Sequence, residues 1–339
     1  MQYKKIIRIS ICIAIFFVVL CINCHALNVS ANSAVVIDAD TGCVIYEKNA
    51  YERKGMASTT KIMTALVALE NCPLEKDIQV SDFAIGVEGS SIYLKQGEHL
   101  TMKQLLYALM LQSANDAATA IAYEVGGNIE GFAQLMNKKA EELGLKDTHF
   151  TNPHGLFDDE HYTTAYDLAL ITRYALENPT FREIVSTQKT IIPLNNGEGS
   201  RVLVNHNKLL RSYDGCIGVK TGFTKKTGRC LVTAAEKEGT TVIAVTLNAP
   251  NDWNDHKAML DMGLETLKTY SLAEIEQFNY RVNVVGGQNS YIDATNTCGF
   301  KYTCMKENAN MQPQCHNPYS TTLREIAAEW DGTSADHSL

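Results

Sequence analysis

The sequence predicts an α/β (α+β) protein, with a mainly antiparallel sheet flanked by helices and a helical subdomain inserted into it. Three observations carry the prediction. β-Rich runs stand at both ends of the region from about residue 30 to 250, helical periodicity fills the stretch between them, and short turns join the runs as hairpins. The chain has 339 residues, 45% of them hydrophobic, enough for one large core or for a main domain plus a small one.

The elements follow in order. Ser33–Asp38 and Cys43–Tyr46 are β-rich and separated by Ala-Asp-Thr-Gly, a hairpin signal. Residues 58–70 place Ile62, Met63, Leu66 and Leu69 at three- and four-residue spacing, which predicts a helix. Thr101–Gly126 and Ile129–Gly144 are further helical stretches, Asn152–Gly155 is a loop, and Thr164–Glu177 is helical again. From about residue 188 strands return. Cys216–Thr224, Arg229–Ala235 and Thr240–Leu247 are β-rich, with Lys237-Glu-Gly239 as the turn between the last two, and Asp255–Tyr270 reads as an amphipathic helix. Strands from both ends are expected to pair in one sheet, and a groove between sheet and helical subdomain is where a ligand would bind.

The first 26 residues read as a signal peptide. Lys4, Lys5 and Arg8 precede the apolar run Ile9–Ile22, and Ala26 or Ala31 supplies a small residue for cleavage. The run is too short to span a bilayer comfortably, so an exported, extracytoplasmic protein is expected, and any membrane anchor would be the uncleaved signal. Neither Cys21 nor Cys24 follows the small residue that lipid attachment needs. Without the signal, 27 basic residues face 38 acidic ones, a formal charge of −11. No basic cluster is present, which argues against nucleic acid as a partner and against attraction to an anionic membrane surface. Seven cysteines remain after the signal, an odd number at irregular spacing, and no disulfide framework can be read from them. Cys298, Cys304, Cys315 and His316 lack a CxxC knuckle, so no metal and no cofactor is expected.

Three short motifs carry the chemistry: Ser58-Thr-Thr-Lys61, Ser113-Ala-Asn115 and Lys220-Thr-Gly222. Each recurs, as Ser186-Thr-Gln-Lys189, Ser30-Ala-Asn32 and Lys226-Thr-Gly228, so context must choose. Ser58 precedes a strong apolar helix, which sets Ser58 and Lys61 one turn apart on one face. Ser113-Ala-Asn115 interrupts an apolar helical stretch, where polar groups need a reason. Lys220 ends the apolar run Ile217–Val219 and so belongs to a strand, whereas Lys226 falls in a turn. A serine hydroxyl is a poor nucleophile until a base takes its proton, and a lysine one turn away is that base if burial and a second cation depress its pKa. Lys220 supplies the second charge and draws in a substrate carboxylate. Ser113 relays a proton to the leaving amine, and Asn115 holds Lys61 and the substrate amide. Gly222, beside Thr221, lets substrate backbone lie along the strand edge, and the N–H groups of Ser58 and Phe223 form the oxyanion hole. Taken singly, Ser58 reads as a helix cap, and Lys61 and Lys220 as solvated surface charges.

The ordered set resembles the active-site motifs of penicillin-binding proteins and serine β-lactamases. Longer strings are similar to the low-molecular-mass D-alanyl-D-alanine carboxypeptidases: Ala57-Ser-Thr-Thr-Lys-Ile-Met-Thr-Ala65, Gly89-Ser-Ser-Ile-Tyr-Leu-Lys95, Leu111-Gln-Ser-Ala-Asn-Asp-Ala-Ala118, Thr151-Asn-Pro-His-Gly-Leu156 and Gly218-Val-Lys-Thr-Gly-Phe-Thr224. The resemblance covers about residues 30–270. It implies a β-lactamase/transpeptidase-like fold, removal of the terminal D-alanine from peptidoglycan stem pentapeptides, and covalent inhibition by β-lactam antibiotics at Ser58. Ala114 stands where that family often has glycine. Asn152 and His154 match a family loop and are read as turn residues.

The expected domains are then 27–272, catalytic, with a helical subdomain at about 66–180; 273–305, the start of a β-rich C-terminal domain opening near Tyr280–Gly287; and 306–339, an irregular tail read as truncated or frame-shifted. Other readings stay open. A D,D-endopeptidase would use the same residues, and a catalytically silent penicillin-binding wall module would keep the fold. A class A β-lactamase would need a Glu-x-x-Leu-Asn string, which does not occur between Ser113 and Lys220.

Overall fold

The computed structural model describes residues 27–194, 199–273, 275–277, 279–283, 291–295 and 299–306. Residues 1–26, expected from the sequence to be a signal peptide, and the tail beyond 306 lie outside them.

Strand β1 (Ser33–Asp38) and β2 (Val44–Lys48) form the first hairpin. A 3-10 turn (Ala57–Thr60) leads into α1 (Lys61–Asn71). The short strands β3 (Asp77–Gln79) and β4 (His99–Thr101) pair with each other. Helices α2 (Met102–Leu111), α3 (Asn115–Gly126), α4 (Ile129–Glu142), α5 (Ala165–Leu176) and α6 (Pro179–Ser186) follow. A second hairpin, β5 (Lys189–Leu194) with β6 (Gly199–Val204), precedes the short α7 (Leu209–Ser212). Strands β7 (Cys216–Thr224), β8 (Gly228–Lys237) and β9 (Thr240–Leu247) and helix α8 (Asp252–Thr266) complete the main body. Four further strands come after it: β10 (Leu267–Ala273), β11 (Asn279–Asn283), β12 (Tyr291–Thr295) and β13 (Phe300–Met305).

The main sheet has the order β2-β1-β9-β8-β7 and every neighbouring pair is antiparallel. β1 sits inside it and is buried along its whole length, as its unbroken Ala-Val-Val-Ile core demands. Pleating splits that core. Val35 and Ile37 join the larger cluster with the helices, while Ala34 and Val36 face α8 with Met259 and Leu260. α1 lies within the larger cluster, and its first eight residues are all buried. Buried Ile62, Met63, Leu66 and Val67 each stabilise the fold by about 1.5–3 kcal/mol, so this helix is the rigid mount for the residues at its N-terminus.

Two elements differ from expectation. The stretch Thr101–Gly126 is two helices, because Ser113 takes a left-handed φ of 59° between them. The last helix ends at Thr266, and Leu267–Tyr270 belong to β10, which pairs with β13. The pairing partner lies some thirty residues downstream, so helical periodicity at 255–270 carries no trace of it. Thr303 Oγ1 donates to Asp40 Oδ2 at 2.8 Å and ties that sheet to the first hairpin. Cys43, in the same hairpin, is disulfide-bonded.

Candidate active site

The sequence around Ser58 builds a strained turn on a rigid helix. Ala57 takes φ 47°, and Thr59 Oγ1 and Thr60 Oγ1 donate to the Met56 and Ala57 carbonyls at 2.6 and 2.8 Å. Those bonds hold the turn that sets Ser58 directly ahead of α1. Lys61, the first residue of α1, is 0% exposed, and its Nζ lies 3.0 Å from Ser58 Oγ.

Two other acceptors fix that amine. Asn115 Oδ1 is 2.7 Å and the His154 carbonyl 2.6 Å from Lys61 Nζ. Asn115 opens α3, and its Nδ2 donates to the Glu88 carbonyl at 2.5 Å while its backbone N–H donates to the Ser90 carbonyl at 2.7 Å. Asp116 steadies the same loop by accepting from Ile92 and Leu94 N–H and from Ser91 Oγ. Ser113 is 5% exposed at the α2–α3 break, and its hydroxyl bonds neither Ser58 nor Lys61. Ala114, with φ −64°, needs no glycine.

The opposite wall is β7, an edge strand packed on the Ala57–Thr60 turn. Lys220 is 1% exposed and its Nζ donates to the Thr221 carbonyl at 2.9 Å. Thr221 is half-buried and Phe223 exposed. Gly222 has a second role that its motif does not announce. A Cβ there would stand 3.0 Å from Ser58 N, 3.1 Å from Thr59 N and 3.2 Å from Met56 O, so the glycine makes room for the serine's own turn.

Burial depresses both lysines. Lys61 is held well below the usual lysine range, first by burial and then by the charge of Lys220, with Asp116 opposing. Burial alone pushes Lys220 down to about 7. The duplicate motifs have no such setting. Lys226 and Lys189 are exposed, and Lys226 Nζ lies over the Phe157 ring at 3.5 Å.

Some contacts of the site escaped sequence reasoning, although Asn152 keeps the turn role expected of it. His154 contributes its backbone carbonyl to Lys61, while Asn152 Oδ1 accepts from Gly155 N at 2.7 Å and keeps the loop turned. Gly155 has φ 87°, and a Cβ on it would stand 1.9 Å from the Ala57 carbonyl oxygen. Burial, and then the charge of Lys220, lower the pKa of His206, which places its ring within electrostatic reach of that lysine. Burial, then Lys61 and His161, push His154 down to about 3. Backbone carbonyls and loop histidines have no spacing rule that would reveal them. The strings around Thr151–Leu156 were the only signal.

An antiparallel sheet whose edge strand carries a buried lysine, facing a lysine-paired serine on a helix, defines the serine acyl enzymes of penicillin-binding type. Comparison narrows the class. Residues 22–251 match the family described as D-alanyl-D-alanine carboxypeptidase. A Bacillus subtilis D-alanyl-D-alanine carboxypeptidase, DacF, is 37% identical over 273 residues, 78% of this chain and 70% of that protein. One from Streptomyces sp. K15 is 37% identical over 236 residues, covering 65% and 81% of the two chains. The crystal structure of the Streptomyces K15 DD-transpeptidase superposes with a TM-score of 0.66 at 35% identity, over 70% of this chain and 98% of that one. The chain belongs to the D-alanyl-D-alanine carboxypeptidase family and is a serine-type peptidase with its penicillin-binding fold.

Proposed function

We propose that this enzyme removes the terminal D-alanine of peptidoglycan stem pentapeptides through an acyl-enzyme on Ser58, and that β-lactams trap it there. One observation carries the reading. Lys61 Nζ is surrounded by three partners, and two of them, the Asn115 and His154 carbonyls, can only accept. A neutral amine gives those carbonyls its two N–H bonds, and its lone pair then points at the third partner, the Ser58 hydroxyl. The buried site favours that neutral form.

The steps balance. Ser58 Oγ attacks the carbonyl carbon of the penultimate D-alanine as its proton passes to Lys61, with Ser58 and Phe223 N–H as oxyanion donors. The proton goes on, by way of Lys61 and Ser113, to the leaving nitrogen, and the C–N bond breaks. Water then attacks the ester, gives a proton to Lys61, and Ser58 Oγ leaves with a proton restored. Lys220 binds the terminal carboxylate, and Asn115, Thr221 and Gly222 flank the substrate backbone. The chemistry needs no metal or cofactor. Residues 1–26 are proposed to direct export to the cell envelope. Among the described residues no helix is long and apolar enough to cross a membrane.

The purified protein and its Ser58→Ala variant, incubated with a penicillin, test this by intact mass. A stoichiometric, slowly released adduct on the wild type alone is expected. No adduct on folded wild type would hand the reading to a silent wall-binding module. Release of D-alanine from a pentapeptide then separates a carboxypeptidase from an endopeptidase. The Streptomyces K15 neighbour is a DD-transpeptidase, which favours a second reading, acyl transfer to an amine, and an added amino-acid acceptor would report that as a new peptide.

A further inference from the structure

A buried histidine outside the motifs is bonded into the serine's turn. His161 is 4% exposed and accepts from the Thr151 N–H at the start of the Thr151–Leu156 loop. Thr151 N–H donates to His161 Nδ1 at 3.0 Å, so Nδ1 is the unprotonated nitrogen and Nε2 carries the hydrogen. Nε2 lies 2.7 Å from Thr60 Oγ1, and Thr60 Oγ1 donates its own hydrogen to the Ala57 carbonyl at 2.8 Å. The directions are therefore fixed along the whole chain: Thr151 N–H to His161, His161 N–H to Thr60, Thr60 O–H to Ala57.

The chain ends where the backbone is least comfortable. Ala57 holds φ 47°, a left-handed conformation that a residue with a Cβ rarely adopts, immediately before Ser58. Gly155, in the loop that His161 anchors, lies against the same carbonyl and against Thr60 Oγ1, where a Cβ would come within 1.9 and 2.8 Å. The Ala57 carbonyl belongs to the peptide whose N–H is that of Ser58, so whatever fixes one fixes the other. Burial pushes His161 down to about 4, which keeps the ring neutral and its tautomer single at neutral pH.

We infer that His161 is a positioning residue for acylation: through Thr60 it locks the Ala57–Ser58 peptide so that the Ser58 N–H and Oγ hold the geometry the reacting carbonyl needs. The inference rests on Ser58 being the nucleophile and goes beyond it, since His161 touches neither substrate nor Lys61. Its effect belongs to the bond-making step and not to capture of the ligand.

The two nitrogens can be separated by substitution. His161→Gln places an amide N–H where Nε2 stands and keeps the donor to Thr60. His161→Asn places a carbonyl where Nδ1 stands, keeps the acceptor for Thr151 and loses the donor to Thr60. Thr60→Val removes the hydroxyl at nearly constant volume. Stopped-flow acylation with a chromogenic β-lactam gives the non-covalent dissociation constant and the acylation rate constant separately, with circular dichroism confirming folded protein. His161→Asn and Thr60→Val should each slow acylation about 10- to 100-fold with the dissociation constant within about twofold, and the double variant should be no slower than either single. His161→Gln should stay within about threefold of wild type.

Wild-type rates in His161→Asn, or losses that multiply in the double variant, would overturn the inference, as would a loss confined to the dissociation constant. Should His161→Asn not fold, the comparison of Thr60→Val with His161→Gln decides alone: equal rates in the two overturn it. Failure of the wild type itself to acylate would instead remove Ser58 as nucleophile, a distinct result.

Discussion

Lys220→Met should make this protein more stable and inactive at once. Lys220 is 1% exposed, and among the described residues no carboxylate pairs with it; its one hydrogen bond goes to the Thr221 carbonyl. Burial lowers its pKa from about 10.4 in the unfolded chain to about 7 in the fold. The unfolded state then binds more protons between those values, so stability rises with pH across that window and is lost as pH falls towards 7. At pH 7 the linkage costs the folded state about 4 kcal/mol. Methionine fills similar volume without charge, and the lost hydrogen bond returns only about 1 kcal/mol. A net gain of about 2–3 kcal/mol is expected by urea unfolding at pH 7. Wild type should also gain about 2 kcal/mol from Lys220 between pH 7 and 9, and the variant's rise over that interval should be smaller by that amount. Acylation by a penicillin should fall at least tenfold, because the carboxylate anchor is gone. A variant less stable than wild type, or one with the same pH slope, would refute the reasoning: Lys220 would then have a counter-charge and would not be a stored desolvation cost.

Further consequences can be measured with the same material. Catalytic efficiency should be bell-shaped in pH, rising as Lys61 loses its proton below the usual lysine range and falling from about 7 upward as free Lys220 loses its charge; a flat profile from pH 6 to 9 would contradict both roles. Gly222→Ala puts a Cβ 3.0 Å from Ser58 N, so acylation should drop at least tenfold with the far-ultraviolet spectrum unchanged, and wild-type rates would mean the turn can shift freely. Gly155→Ala combines φ 87° with a 1.9 Å approach to the Ala57 carbonyl, and should cost about 3 kcal/mol or more of stability in addition to activity, read from urea midpoints. Buried His256 accepts or donates between Thr233 and Thr246 Oγ1 at 2.6 and 2.9 Å and is pushed down to about 3 by burial. Its stabilising effect is lost as pH falls below about 6.5, by about 2.5 kcal/mol between pH 7 and 4.5, a slope that His256→Gln should remove.

What the sequence revealed and what it hid have a common physical basis. Ser58 and Lys61 were legible because three-residue spacing on an amphipathic helix fixes their contact locally, and the structure places them 3.0 Å apart. The strand pattern was legible for the same reason: the apolar runs at 216–224 and 240–247 became β7 and β9 with the bounds expected. The turn Lys237–Gly239, too, declared itself by a glycine that holds φ 77°. Distant pairing left no such mark. Nothing in Leu267–Tyr270 announces Phe300–Met305, and helical periodicity ran on through a strand. The motif alone could not distinguish Lys220 from Lys226, since both stand before Thr-Gly; the apolar run before Lys220 did, and burial bears it out, 1% exposure against an exposed side chain lying over Phe157.

The same division explains why the motifs were insufficient to define the site. Lys61 is aimed at Ser58 by what surrounds it, and much of that surrounding is backbone: the His154 carbonyl, the Glu88 and Ser90 carbonyls behind Asn115, and the Ala57 carbonyl beneath Ser58. A carbonyl has no side-chain identity, so no residue pattern encodes it directly. What the sequence does encode is permission for those carbonyls to approach, through Gly155 and Gly222, and the polar groups that hold them, Asn152, Thr60 and His161. A chain that retained Ser58, Lys61 and Lys220 but lost these supports would still present the motifs. Its lysine would lose the two carbonyl contacts that aim its lone pair at the serine. The nucleophile is thus a property of the turn and the loop behind it as much as of the serine itself.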